Sequence, residues 1–236
     1  MDADQVERDL AGLDLAVTDL DVRAPDGRQL VGLHSLTLAA GSSLAIRGPS
    51  GAGKSSLLYA LSGLVQPRAG RVVWGKTDIA QLDEAARARF RRENVGLIFQ
   101  DFLLFEELDV IDNASLAAAF APRAERAARR RQAVHWLDRL GLGRAGLRKT
   151  DSFSGGERQR IAVARALSGE PAIILADEPT ASLDRASADR LIDDLVGLAK
   201  GAGRTLIAVT HDAGLAERMD RTLTMAEGKV VGDAHG

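Results

Sequence analysis

Gly48-Pro49-Ser50-Gly51-Ala52-Gly53-Lys54-Ser55 constrains this chain more than any other stretch, because it is a complete G-x-x-x-x-G-K-[ST] phosphate-binding loop. Ser43-Leu44-Ala45-Ile46-Arg47 before it is an apolar run suited to a strand. Leu57, Leu58 and Leu61 after it share the buried face of a helix that closes at Gly63. Glycines let successive backbone N–H groups turn inward around an anion, and the helix start aims its positive dipole end at the same point. Lys54 is therefore expected to reach the β- and γ-phosphates of a nucleotide, and the Ser55 hydroxyl to ligate Mg2+.

The flanking chain supplies an α/β frame for this loop. Leu13, Leu15 and Val17, then Leu20 and Val22, alternate with polar residues. Pro25-Asp26-Gly27 marks a turn, and Leu36 and Leu38 resume the alternation, which predicts an antiparallel sheet ahead of the loop. Gly70 to Trp74 reads as a further strand, Asp78 to Arg92 as a charged helix, and Val95 to Phe99 as a strand ending at Gln100. Between Phe102 and Gly143 the pattern is helical, with Ala133, Trp136 and Leu140 on one face and Gly141 and Gly143 as terminators. Ala172 to Ala176 and Thr205 to Thr210 read as strands buried on both faces, with a helix from Ala186 to Lys200 between them ending at Gly201. That alternation implies βαβ units around a parallel core.

Two further clusters carry chemistry. Asp177 and Glu178 follow a buried strand at the sheet edge where open α/β folds bind ligands; alone they would read as a solvated turn, but beside a phosphate loop they read as a site. Asp177 is assigned to the metal and Glu178 to polarising an attacking water. Phe153-Ser154-Gly155-Gly156-Glu157 opens a helix containing Ile161, Ala164 and Leu167. It offers a hydroxyl and free N–H groups, either as a plain helix cap or as a second anion site. With one phosphate loop in the chain, a second anion site has no nucleotide of its own.

Composition limits the alternatives. A chain of 236 residues, 45% apolar and 27% charged, has an ordinary soluble balance and room for a sizeable core. The formal charge of −2 argues against overall attraction to nucleic acid or anionic lipid. Arg87, Arg89, Arg91 and Arg92, and separately Arg129, Arg130 and Arg131, are read as exposed helix faces balanced by Asp83, Glu84, Glu93 and Glu125 rather than as a nucleic-acid patch. The absence of cysteine excludes disulfides and thiolate metal sites. The acidic N-terminal stretch has no apolar segment of signal-peptide type, and no apolar run approaches the roughly 18 residues of a membrane span. Work at a membrane would then require spanning helices from another chain.

Taken in order, Gly48 to Ser55, Gln100, Ser154 to Glu157, Asp177-Glu178-Pro179-Thr180, Ser182-Leu183-Asp184 and His211 resemble the nucleotide-binding subunit of ATP-binding cassette (ABC) transporters, over about Leu13 to Val231. Phe153 stands where leucine is usual, a departure conservative in bulk. The resemblance implies a P-loop NTPase core with a mostly parallel sheet, an N-terminal antiparallel β subdomain and a helical subdomain. It implies one ABC ATPase domain over 1–236, the core at about 13–99 and 158–231 and the helical part at about 100–157. It also implies a cytoplasmic ATPase bound peripherally to a permease, with two copies or a paired subunit meeting head to tail. Each ATP would then lie between Gly48 to Ser56 of one chain and Ser154, Gly155, Gly156 and Glu157 of the other. Gln100 would sense Mg2+ and couple to the permease, His211 would contact the γ-phosphate, and Asp184 would communicate across the dimer. The stretch from Arg91 to Leu116 and the run ADEPTASLD resemble the branch of lipoprotein-release, macrolide-export and cell-division ATPases.

A soluble or regulatory ATPase of the same superfamily is the alternative. Relatives of that kind with long coiled coils are disfavoured, since Ser55 and Ser154 are only about 100 residues apart with no sustained heptads between them. One departure bears on the base. Family members stack adenine on an aromatic residue at a position corresponding to about Ala24, but no Phe, Tyr or Trp precedes Tyr59 here. Arg23 is the expected substitute platform, with poor discrimination between ATP and GTP as the consequence.

Overall fold

Period-two alternation before the phosphate loop and unbroken apolar runs after it fold as two different kinds of sheet. The computed structural model describes residues 12–143 and 153–235. The N-terminal stretch and residues 144–152 of the expected helical part lie outside them. In chain order the elements are β1 (Leu15–Arg23), β2 (Gln29–Leu38), β3 (Ser43–Arg47), α1 (Lys54–Leu61), β4 (Ala69–Trp74), β5 (Thr77–Asp78) and α2 (Glu84–Asn94). There follow β6 (Val95–Ile98), α3 (Val110–Ala114), α4 (Leu116–Ala119), α5 (Arg123–Arg139), α6 (Gly155–Leu167) and β7 (Ile173–Asp177). The chain closes with α7 (Arg185–Ala202), β8 (Thr205–Val209), α8 (Ala213–Glu217), β9 (Arg221–Ala226) and β10 (Lys229–His235).

The antiparallel sheet runs β2-β1-β4-β5. Its hydrophobic phase changes within β1, where Leu15 and Val17 and then Leu20 and Val22 are buried. The cause is a bulge: the register against β4 slips between Thr18 and Asp21, and Asp19 takes φ 47°. One extra residue returns the apolar side chains to the same face.

The second sheet runs β10-β9-β3-β8-β7-β6, parallel except for the β10–β9 hairpin. Its central strands are apolar at nearly every position because both faces are covered. Side-chain alternation divides them between two cores. Ile174, Ala176, Leu206, Ala208 and Ala45 face the helices α3, α5, α6 and α7, whereas Ile173, Leu175, Ile207, Leu44 and Ile46 face α1 and the antiparallel sheet.

Several boundaries differ from the sequence expectation. The helix expected over Asp78 to Arg92 starts at Glu84, because Asp78 caps a separate 3-10 turn (Ile79–Gln81) and Asp83 accepts from the Ala86 N–H. The helix expected to stop at Gly201 runs through it to Gly203, which takes the left-handed cap at φ 63°. The span from Phe102 to Asp109 is a loop, not helix. Part of the arginine clusters is ion-paired as expected, through Arg87–Glu84, Arg91–Glu84, Arg92–Glu93 and Arg129–Glu125, while Arg130 pairs with Asp112 instead. Arg87 and Arg129, however, are buried rather than exposed, their stems covering apolar surface.

Trp74 ties the antiparallel sheet to α1: it is buried, and its Nε1–H donates to the Leu61 carbonyl at 2.8 Å. Trp74→Phe keeps most of the packing but leaves that carbonyl without its buried donor, a loss of about 1–3 kcal/mol. Urea unfolding should show a lower midpoint at unchanged slope; an unchanged midpoint would mean that water replaces the indole.

Candidate functional site

The loop between β3 and α1 closes under geometric constraints that only some residues meet. Gly53 takes φ 92°, and a Cβ there would lie 2.3 Å from the Leu30 carbonyl oxygen. Gly48 takes φ 145°, and a Cβ there would lie 2.1 Å from the Met225 carbonyl oxygen. Both are close backbone approaches that a side chain would block. Lys54, 7% exposed, folds back over the loop, its Nζ donating to the carbonyls of Gly48 at 2.8 Å and Pro49 at 2.9 Å. An ammonium has three donors, so one remains for a phosphate oxygen. Ala52 is buried and its carbonyl accepts from the Gly228 N–H at 3.1 Å, anchoring the loop to the β9–β10 turn.

A cleft of about 850 Å³ opens over this loop. It is lined by Ser50, Gly51, Ala52, Gly53, Lys54, Ser55 and Ser56 together with Gln100, Asp177, Glu178 and His211, so residues from four separate stretches of the sequence meet in one place. Asp177, 1% exposed, ends β7; its Oδ2 accepts from the Tyr59 hydroxyl at 3.1 Å, while its buried Oδ1 has no partner. An unpartnered buried carboxylate oxygen in a cleft also lined by Ser55 and Gln100 offers oxygen donors of the kind Mg2+ accepts. Among the described residues no group of three His, Cys, Asp or Glu side chains could hold a metal alone, so a cation here would also need phosphate oxygens.

Glu178 sits at φ 49°, a left-handed conformation that turns its side chain out of the strand direction. Its carboxylate is mostly covered, with Oε2 accepting from the His211 backbone N–H at 3.2 Å and Oε1 lying 3.3 Å from His211 Nε2. Two residues that the sequence placed 33 positions apart thus form a pair at the cleft.

Ser154 to Glu157 lie elsewhere and do not line the cleft. Ser154 caps α6 in a reciprocal box: its Oγ accepts from the Glu157 N–H at 3.3 Å, and Glu157 Oε2 accepts from the Ser154 N–H at 2.8 Å. A Cβ on Gly156 would lie 3.1 Å from the Ser182 carbonyl oxygen, so this turn rests against the Ser182-Leu183-Asp184 segment. Asp184 itself caps α7, accepting from Ser187 N–H at 3.0 Å, and that hydrogen bonding holds its carboxyl below the usual carboxylate range.

A sequence profile of the ABC transporter family matches residues 32–181. The chain belongs to the ABC transporter family. The cassette is 40% identical over 195 residues to the lipoprotein-releasing system ATP-binding protein LolD of Legionella pneumophila, covering 83% of this chain and 86% of that one. It is 41% identical over 200 residues to the ABC transporter ATP-binding protein YbbA of Escherichia coli, covering 84% and 87%. Among solved structures, the dimeric cassette MJ0796 superposes with a TM-score of 0.86 at 30% identity, covering 94% of this chain and 98% of that one. A second MJ0796 dimer, bound to ADP and phosphate, gives 0.83 at 28% identity with the same coverage.

Other residues of the site escaped the sequence reading, Tyr59 outside the cleft lining and Arg185 and Asp212 within it. Tyr59 holds Asp177 across 118 positions, a contact with no local signature. Arg185 and Asp212 rim the cleft 3.3 Å apart, and although burial pushes Asp212 up, Arg185 and the Gly214 and Leu215 amides win and hold its carboxyl low. Ala24 does not line the cleft, and Arg23 is held by Asp21 at 2.8 Å, whereas Arg28 and Leu30 do line it.

Tyr59 is the chain's one tyrosine, and burial, then Asp177, push its hydroxyl up to about 12. A raised folded value means that stability present below the unfolded value near 10 is lost as pH climbs toward 12. Near-ultraviolet tyrosinate absorbance should therefore titrate near the upper value, and Asp177→Asn should lower the midpoint without reaching 10, because burial remains. An unmoved midpoint would deny the Tyr59–Asp177 contact.

Proposed function

We propose that the cassette binds Mg2+-ATP between two copies of itself or a paired subunit, hydrolyses it, and thereby drives a separate membrane permease. The observation that carries this reading is the division of the anion-binding parts. The cleft gathers the phosphate loop, Asp177, Glu178 and His211, while the capped start of α6 is not part of its lining, which fits a chain that holds complementary halves of two sites. The dimeric MJ0796 cassette is in keeping with that division, as is its state bound to ADP and phosphate.

The geometry supports the following roles. Inward N–H groups of Gly51, Gly53 and Lys54 and the remaining Lys54 donor bind the phosphates. Ser55, Gln100 and the free Oδ1 of Asp177 would hold Mg2+, which would supply positive charge to offset that of the phosphates. The Tyr59 hydroxyl fixes the other Asp177 oxygen and so the direction of the free one. Glu178 orients the attacking water and takes its proton. His211, 3.3 Å from Glu178, keeps that carboxylate aimed and contacts the γ-phosphate. Ser154, Gly155, Gly156 and Glu157 close the partner's nucleotide, and Asp184, on the segment beneath Gly156, links the two sites. The whole chain acts as one ABC ATPase domain, with the core at about 13–99 and 158–231 and a helical part at about 100–157.

Among the described residues no helix is long and apolar enough to cross a membrane. On this reading another chain supplies the membrane part of the transporter, and the cassette binds it at the cytoplasmic face. The 40% identity to an ATP-binding protein of a lipoprotein-releasing system favours transport over a soluble regulatory role. Co-purification with an integral membrane protein tests this choice, and a chain that purifies and acts only with soluble partners would reverse it.

Glu178→Gln should bind Mg2+-ATP, hydrolyse it about 10²–10⁴-fold more slowly and accumulate as a nucleotide-loaded dimer. Wild-type phosphate release by this variant would remove Glu178 from the role of base. Lys54→Ala should weaken nucleotide binding itself.

Mixing Lys54→Ala with Ser154→Arg chains should restore one working site per heterodimer, built from the intact loop of one chain and the intact α6 start of the other. Verified heterodimers without hydrolysis would sink the head-to-tail arrangement.

A further inference from the structure

The base end of the cleft follows from the order of the strands. β8 and β7 lie on one side of β3 and bring Asp177, Glu178 and His211; β9 lies on the other. Leu30 belongs to that second side, its carbonyl packed against Gly53 and Gly228 of the β9–β10 turn. A triphosphate whose terminal group meets Glu178 therefore runs back across the loop toward Leu30 and Arg28. These are the cleft residues contributed by the β1–β2 hairpin.

Arg28 is available for a ligand. It is exposed, and its side chain makes no hydrogen bond or ion pair among the described residues; only its backbone is bonded, the N–H donating to Asp26 and the carbonyl accepting from the Ala24 N–H. Arg23, the other arginine of the hairpin, is occupied by Asp21 and by the Gly27 carbonyl. The cleft lining contains no Phe, Tyr or Trp among the described residues. A guanidinium can lie flat on either purine, and in plane it is donor-only, matching the paired O6 and N7 acceptors of guanine. Leu30 offers only apolar contact. Neither side chain can accept from the amino group that distinguishes adenine.

We propose that Arg28 and Leu30 form the base-binding end of the cleft, and that this end takes guanine at least as readily as adenine, so that the cassette uses GTP as well as ATP. This rests on the nucleotide-binding reading above.

The test uses the full-length Glu178→Gln chain with Mg2+ and three probes: ATP, GTP and inorganic tripolyphosphate, measured by calorimetry. GTP should bind as tightly as ATP within about threefold, or tighter. Adding Arg28→Ala should weaken both nucleotides about twofold to fivefold, GTP no less than ATP, while leaving tripolyphosphate and the melting temperature unchanged. An ATP preference above about tenfold would overturn the proposal. So would a loss of tripolyphosphate affinity in Arg28→Ala equal to the loss for nucleotides, which would make Arg28 a phosphate contact. If none of the three probes binds the parent chain, the nucleotide reading fails first and takes this proposal with it.

Discussion

A buried ammonium sets the geometry of this cassette. Lys54 is held by the carbonyls of Gly48 and Pro49, so the loop is closed around its own cation. That closure requires a backbone free to approach β9 at Gly48 and the hairpin strand at Gly53, and it requires β3 to be locked between β8 and β9 so that the loop leaves the sheet at a fixed height. The apolar strands, the antiparallel sheet over α1 and the β9–β10 turn against Ala52 all serve to hold that one turn.

The sheets were legible because their chemistry is periodic. Ile173 to Ala176 and Thr205 to Val209 are apolar throughout and occur where both faces are covered, whereas Leu15 to Val22 alternate and lie in the sheet before the loop. Boundaries set by single side chains were harder. Asp83 and Asp78 are three-dimensionally distinct caps within what reads as one charged helix, and Gly201 reads as a stop although the helix passes through it to Gly203. The loop, the Asp177–Glu178 pair and the Ser154 cap could be picked out because each is a short contiguous pattern with its own chemistry.

Contacts between distant stretches left no such pattern. Tyr59 on Asp177 and Arg185 on Asp212 depend on strand order, which a linear sequence does not display. The hairpin arginine is a subtler case. The sequence pointed to Arg23, but Asp21 and the Gly27 carbonyl hold that side chain, and the hairpin arginine that lines the cleft is Arg28. Glu178 shows the same limit: alternation along β7 foresees that it diverges from Asp177, but the left-handed turn that delivers it to His211 is visible only in the fold.

The segment from Glu178 to Asp184 lines its own cleft at Glu178, Thr180 and Ala181 and then supports Gly156 through Ser182. In the proposed head-to-tail pair it would be a party wall: one surface would belong to the chain's own nucleotide and the other to the turn it offers a second copy. Two rooms with a common wall are not furnished independently. In a symmetric pair each wall is shared in turn, so the four combinations of full and empty sites would collapse toward two, and the assembly would register nucleotides as a pair rather than one at a time.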